Sequence, residues 1–111
     1  MGASPPAYKK ELVEHSLRIQ PSAEDDISGI FEWYEKCRTG FGAEFLIGLD
    51  HCFARITKAP LSCAKVHYDI RRALLRRFPY CVYFVVGGFE IVVLAVLHGR
   101  RNPLLLQQRL P

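Results

Sequence analysis

Tyr80-Cys81-Val82-Tyr83-Phe84-Val85-Val86-Gly87-Gly88-Phe89-Glu90-Ile91-Val92-Val93-Leu94-Ala95-Val96-Leu97 is the stretch whose reading decides the fold. Its two runs, 80–86 and 90–97, are apolar almost without interruption and rich in β-branched and aromatic residues. Such side chains pack well on a pleated surface and lose rotamer freedom in a helix. Gly87-Gly88 between them can supply the positive φ angles of a tight hairpin turn. Strands apolar on both faces belong in the middle of a sheet, with helices over at least one side.

Upstream, Val66, Tyr68 and Ile70 alternate with His67, Asp69 and Arg71, which predicts one strand with a wet face running on to Leu74. Before it the period changes. Ile27, Ile30, Phe31, Tyr34 and Cys37 recur at the spacing of one helical face, with Trp33 at its edge. Pro21-Ser22-Ala23-Glu24-Asp25 reads as the start, Ser22 as cap and Asp25 three residues on as in a capping box. Gly40 can close this helix in a left-handed conformation. A second helix carries Phe45, Leu49, Cys52, Phe53 and Ile56 on one face and ends ahead of Pro60. So short a link makes the pair an antiparallel hairpin.

Residues 12–19 partly alternate and predict a half-exposed first strand, after a loose leader over residues 1–10. Asn102-Pro103 ends the last strand, and residues 104–111 form a short amphipathic tail. The expected architecture is α+β: an N-terminal strand, a helical hairpin, then a three-stranded antiparallel sheet. At 111 residues this is one domain, placed at 11–103.

Charge is distributed unevenly. Residues 1–60 carry seven Lys/Arg against nine Asp/Glu; residues 61–111 carry eight against two. A half so basic suggests an anionic partner. Six of its cations are Arg71, Arg72, Arg76, Arg77, Arg100 and Arg101, at the ends of the expected strands. A hairpin turning at Gly87-Gly88 sets Arg77 opposite His98 and Arg76 close to Gly99, so the clusters converge at one end of the sheet. Guanidinium is always charged and grips phosphate or carboxylate through two hydrogen bonds, which suits a recognition surface. The plainer reading is a solvated edge, some arginines bridging Asp69, Glu90 or the C-terminal carboxylate.

Cys37, Cys52, Cys63 and Cys81 show neither C-x-x-C spacing nor a histidine at ligand spacing, so they are expected to be reduced thiols, with no metal site and no cofactor. The N-terminus has no apolar signal region and no apolar run is long enough for a bilayer, so a cytoplasmic protein without membrane contact is expected. Trp33 and Ile47 are large apolar residues off the packing stripes, which suggests a groove for a partner's helix.

Arg71-Arg72-x-x-x-Arg76-Arg77-Phe78-Pro79-Tyr80-x-Val82-Tyr83-Phe84, followed by Ala95-Val96-Leu97-His98-Gly99-Arg100-Arg101-Asn102-Pro103, resembles the ParE branch of the RelE/ParE toxins of type II toxin–antitoxin systems. Trp33-Tyr34-Glu35 and Phe41-Gly42-x-x-Phe45 also match, and the likeness covers about residues 10–103. The resemblance implies a toxin of the plasmid-stabilisation kind that binds DNA gyrase and is neutralised by a ParD-like antitoxin. On that reading Arg71, Arg72, Arg76, Arg77, His98, Arg100 and Arg101 form the target-binding face. Trp33, Ile47, Arg71, Leu104 and Leu105 contact the antitoxin, and nucleic acid is met only indirectly.

RelE-like relatives share the fold but cut mRNA on the ribosome, which without a metal needs a proton acceptor, a proton donor and cations. Residues 102–111 contain no Tyr or His, the terminal acid/base expected of that branch. His98 is then the candidate catalytic group, with Tyr80 or Tyr83 assisting. The resemblance thus points to a non-enzymatic toxin, with an endoribonuclease or a non-toxic antitoxin-binding remnant as the competing readings.

Overall fold

A computed structural model describes residues 15–101 and 103–111 of the chain. The elements are β1 (Ser16–Ile19), α1 (Pro21–Cys37), α2 (Phe41–Lys58), β2 (Lys65–His67), β3 (Ile70–Leu74), β4 (Tyr80–Gly87) and β5 (Glu90–His98). Short 3-10 segments follow at Pro60–Ser62 and Pro103–Arg109. The expected leader, residues 12–14 of the expected first strand, and Asn102 lie outside the described residues.

The architecture is the expected α+β arrangement, but the sheet has five strands, not three, in the order β1-β5-β4-β3-β2. Two features account for the difference. β1 joins the sheet parallel to β5, with Leu17 against Ile91 and Ile19 against Val93. The single strand expected over 66–74 is instead a hairpin, in which His67 pairs with Ile70 across a turn at Tyr68-Asp69. Tyr68 takes φ 50° there without being glycine, so the usual turn signature is missing from the sequence.

The helical hairpin packs over one face of the sheet. Ile30, Tyr34, Phe45, Leu49, Cys52 and Ile56 meet Val82, Phe84, Val93 and Val96 in one core. The other face carries Cys81, Tyr83, Leu94, Ala95 and Leu97, and fully buried Leu106 of the C-terminal segment packs among them. Two layers on β4 and β5 explain why both strands read as apolar on both sides.

β5 is not regular. Tyr83 pairs with Ala95 but Phe84 with Val93, so Leu94 has no partner across the ladder. This bulge turns Leu94 and Ala95 to the same face. It also frees polar backbone groups, and α1 and the tail satisfy them. The Leu94 carbonyl accepts from Ser22 Oγ and from Arg109 Nη1, each at 3.3 Å, while Val96 N–H donates to Asp26 Oδ2 at 3.0 Å. Arg109 is also paired with both oxygens of Asp26. Ser22 is therefore a tie to the sheet and not the expected helix cap; Gln20 is the N-cap, and Pro21 opens α1 where no N–H is needed.

Between the helices, Gly40 has the expected positive φ (89°), but it heads α2 instead of closing α1. Glu35 Oε1 accepts from Gly40 N–H and Gly42 N–H, both at 2.9 Å. That carboxylate caps the positive end of α2. Cys37, expected on the buried stripe, is the last residue of α1 and is exposed. All four thiols are free. Burial pushes the Cys52 thiol up to about 11 against the pull of Arg55, and raises Cys63 and Cys81 as well, so these sulfurs stay protonated packing groups at neutral pH.

Candidate functional site

The hairpin register differs from the expected one. The turn is Gly88-Phe89, with Gly88 at φ 60°, and Gly87 still pairs with Glu90. Tyr80, not Arg77, therefore faces His98. Arg76 and Arg77 sit in the β3–β4 loop, and the chain after β5 is held beside that loop by a hydrogen bond from Gly99 N–H to Pro79 O (2.9 Å). The two arginine pairs thus share one end of the sheet, but Arg76 and Arg77 line one pocket and Arg101 another.

The first pocket, of about 210 Å³, lies between α2 and the β3–β4 loop. Glu44, Ile47, Gly48, His51 and Arg55 line it from α2, and Arg76, Arg77 and Phe78 from the loop. Its floor is apolar and its rim cationic. Glu44 is its one carboxylate and is engaged twice, by Arg38 at 3.2 Å and by Arg77 at 3.4 Å. Both are exposed pairs worth about 0–1 kcal/mol. Arg76 has no acidic partner among the described residues. Arg55 Nη2 donates to the Leu74 carbonyl at 2.9 Å, while its Nε is shut from water without a partner among the described residues. The α2 residues fall at i, i+3, i+4, i+7 and i+11, so helical periodicity alone would have placed Glu44, His51 and Arg55 beside Ile47.

The second pocket is a shallower cleft of about 420 Å³ between α1 and the end of β5. Asp25, Asp26, Gly29, Ile30 and Trp33 line it from α1, and Tyr80, Val96, Leu97, His98 and Arg101 from the sheet end. An aromatic wall separates the two pockets. The Tyr34 ring lies 5.2 Å from Phe78 and 6.2 Å from Tyr80, and Phe45 touches both. Tyr80 in turn stands edge-on to His98 at 5.6 Å. His98 Nδ1 accepts from Arg100 N–H at 3.2 Å, so the neutral ring carries its proton on Nε2.

The other expected site residues are dispersed. Arg71 Nη1 donates to the carbonyls of Cys63 (2.7 Å) and Leu61 (3.1 Å), bracing the turn after α2. Arg72 pairs across the ladder with Tyr83 on the tail-covered face. Burial raises the Tyr83 phenol, Cys81 adds to the shift, and Arg72 opposes it from outside hydrogen-bond geometry. Asp69 and Glu90 do not bridge the cluster: they pair with Lys65 and Arg18. Trp33 and Ile47 belong to different pockets, while Leu104 and Leu105 lie exposed on the C-terminal segment.

A small α+β domain with a helical hairpin over one sheet face and arginines gathered at one sheet end is the toxin fold of type II toxin–antitoxin systems. Residues 17–103 match the family described as ParE toxin of type II toxin-antitoxin system, parDE. The chain belongs to that family and is a toxin of the ParE type. It is 31% identical over 88 residues to Toxin ParE2 of Mycobacterium tuberculosis, covering 78% of this chain and 84% of that one, in both strains compared. Among solved structures, it resembles a chain of the chromosomal ParDE system from P. aeruginosa with TM-score 0.68 at 19% identity, covering 76% of this chain and 95% of that one. A chain of the RelBE2 toxin–antitoxin complex from Mycobacterium tuberculosis superposes with TM-score 0.52 at 20% identity, covering 78% and 99%. Among the described residues no helix is long and apolar enough to cross a membrane.

Proposed function

We propose that this toxin acts in the cytoplasm by docking on DNA gyrase through the cationic end of its sheet, and that a ParD-like antitoxin silences it by filling the pocket beside α2. One observation carries the reading: Ile47, expected on the antitoxin surface, and Arg76 and Arg77, expected on the target surface, line the same pocket. An acidic amphipathic segment can set an apolar side chain against Ile47 and Phe78 and a carboxylate on Arg76, whose charge no described carboxylate offsets. Neutralisation is then direct occlusion of the target arginines. His98 supports docking over catalysis. Its Nδ1 lone pair is already taken by Arg100 N–H, so the neutral ring offers the solvent a donor and no base.

Purified protein is expected to inhibit gyrase supercoiling, and its cognate antitoxin to restore it. Arg76→Glu with Arg77→Glu should lose at least about tenfold in both gyrase inhibition and antitoxin affinity, roughly 1.4 kcal/mol each. Arg100→Glu with Arg101→Glu should weaken only the first. Unchanged supercoiling together with cleavage of ribosome-bound mRNA would sink the gyrase reading.

A further inference from the structure

The cleft between α1 and the end of β5 contains a helix position that packing does not explain. Gly29 lies in the middle of α1, where only proline is a worse helix former. No atom comes within 4 Å of where its Cβ would stand, so no neighbour requires the glycine. The vacancy opens into the cleft, between Asp25 one turn before and Trp33 one turn after. Trp33 is 58% exposed; its indole meets the Tyr34 ring edge-on at 5.1 Å, and its remaining surface is open. An exposed indole beside a helix backbone stripped of its side chain makes a slot for a flat ring.

The ends of the slot differ in charge. Asp25 stands about 12 Å along the helix axis from Trp33, at a rise of about 1.5 Å per residue, and is exposed. No described residue forms an ion pair with Asp25. Asp26 shares the cleft, but its oxygens are committed to Arg109 and to Val96 N–H. At the sheet end, Arg101 carries no acidic partner among the described residues, and His98, its Nδ1 occupied, presents Nε2–H. Tyr80 closes the wall between them. A ligand of one charge sign throughout would match only half of this cleft.

We infer that the cleft binds a guanine nucleotide, with the base against Trp33 over Gly29, the Asp25 carboxylate accepting from the base's N1–H and N2–H donors, and the phosphate held by Arg101 and His98. Guanine presents two adjacent donors on one edge where adenine presents a single amino group, so the carboxylate selects guanine. Arg101 suits the phosphate because its donors match two oxygens at once, and aromatic stacking of a base is sequence-tolerant, leaving the choice to Asp25. A volume of about 420 Å³ lies in the range of small-ligand sites. The inference shares Arg101 with the proposed docking face but needs neither gyrase nor the pocket beside α2, so nucleotide binding by the chain alone tests it separately from the gyrase reading.

Trp33 is the single tryptophan of the chain, so intrinsic fluorescence reports on this cleft directly. Titrating the full chain with guanosine 5′-monophosphate is expected to quench Trp33 saturably in the sub-millimolar range. Adenosine 5′-monophosphate and unphosphorylated guanosine should bind at least several-fold more weakly. Arg101→Glu should cost about tenfold or more. Gly29→Leu, a better helix former that fills the slot, should abolish saturation without lowering the melting temperature. A short guanosine-containing single strand that binds as well as the mononucleotide assigns the site to a nucleotide within a chain; binding of the mononucleotide alone assigns it to the free nucleotide. Linear, non-saturating quenching overturns the inference, as does quenching that survives unchanged in both variants. Equal binding of the adenine nucleotide overturns the guanine assignment.

Discussion

A Cβ built on Gly42 would stand 2.7 Å from the Phe31 ring and 2.9 Å from the Phe31 carbonyl oxygen, because α1 and α2 cross there backbone to backbone. Gly29, in the neighbouring helix, would meet nothing. The same substitution should therefore have opposite signs at the two sites. Gly42→Ala must displace backbone and is expected to cost about 1–3 kcal/mol. Gly29→Ala gains helix propensity and is expected to stabilise by about 0.5–1 kcal/mol. Urea denaturation of the two variants checks this, and a stabilised Gly42→Ala would show that the helices do not cross so closely. Neither sign is legible in the sequence, where both residues are simply glycines in helical stretches. The difference lies in what the other helix places next to each.

At the scale of elements, the helical hairpin was readable because its apolar residues keep a 3.6-residue period over four to five turns. The β2–β3 hairpin was not, because its turn is made by Tyr68 and Asp69 and lacks a glycine. Alternation continues through the turn, so a hairpin and one long strand leave the same pattern over 66–71. Tyr68 holds φ 50° while 75% exposed, and its ring meets His67 edge-on at 4.5 Å. Tyr68→Asn suits the left-handed region better and is expected to raise stability by about 0.5–1 kcal/mol. A thermal melt reads this as a rise of a few degrees; a fall would mean that the ring contact outweighs the strain. The bulge at Leu94 was hidden for a related reason. In a run apolar on both faces, a one-residue slip changes no residue class, so only the ladder reveals it.

At the scale of the whole molecule, the C-terminal segment turns a two-layer domain into one whose sheet is covered on both sides. Leu106 is fully buried among Cys81, Tyr83 and Leu94, while Leu105 beside it is half exposed. Leu106→Ala is expected to cost about 2–4 kcal/mol. Leu105→Ala should stay within about 0.5 kcal/mol. Equal effects, measured by chemical denaturation, would mean that the segment does not dock as described.

The same scale decided the functional surface. Six arginines near strand ends suggested one cluster, yet Arg71 braces a turn, Arg72 faces the tail-covered side, Arg76 and Arg77 line one pocket, and Arg101 lines another. The sequence by itself determined the α+β class, the helical hairpin, the apolar central strands and the motifs of the ParE family, all of which depend on periodicity and local residue order. Only the tertiary structure decided that β1 enters the sheet, that Ile47 joins Arg76 and Arg77, and that Asp25, Gly29 and Trp33 face His98 and Arg101. Those juxtapositions join residues from about 30 to more than 70 positions apart, and they depend on strand register and helix placement, where a shift of one or two residues moves a side chain to another face.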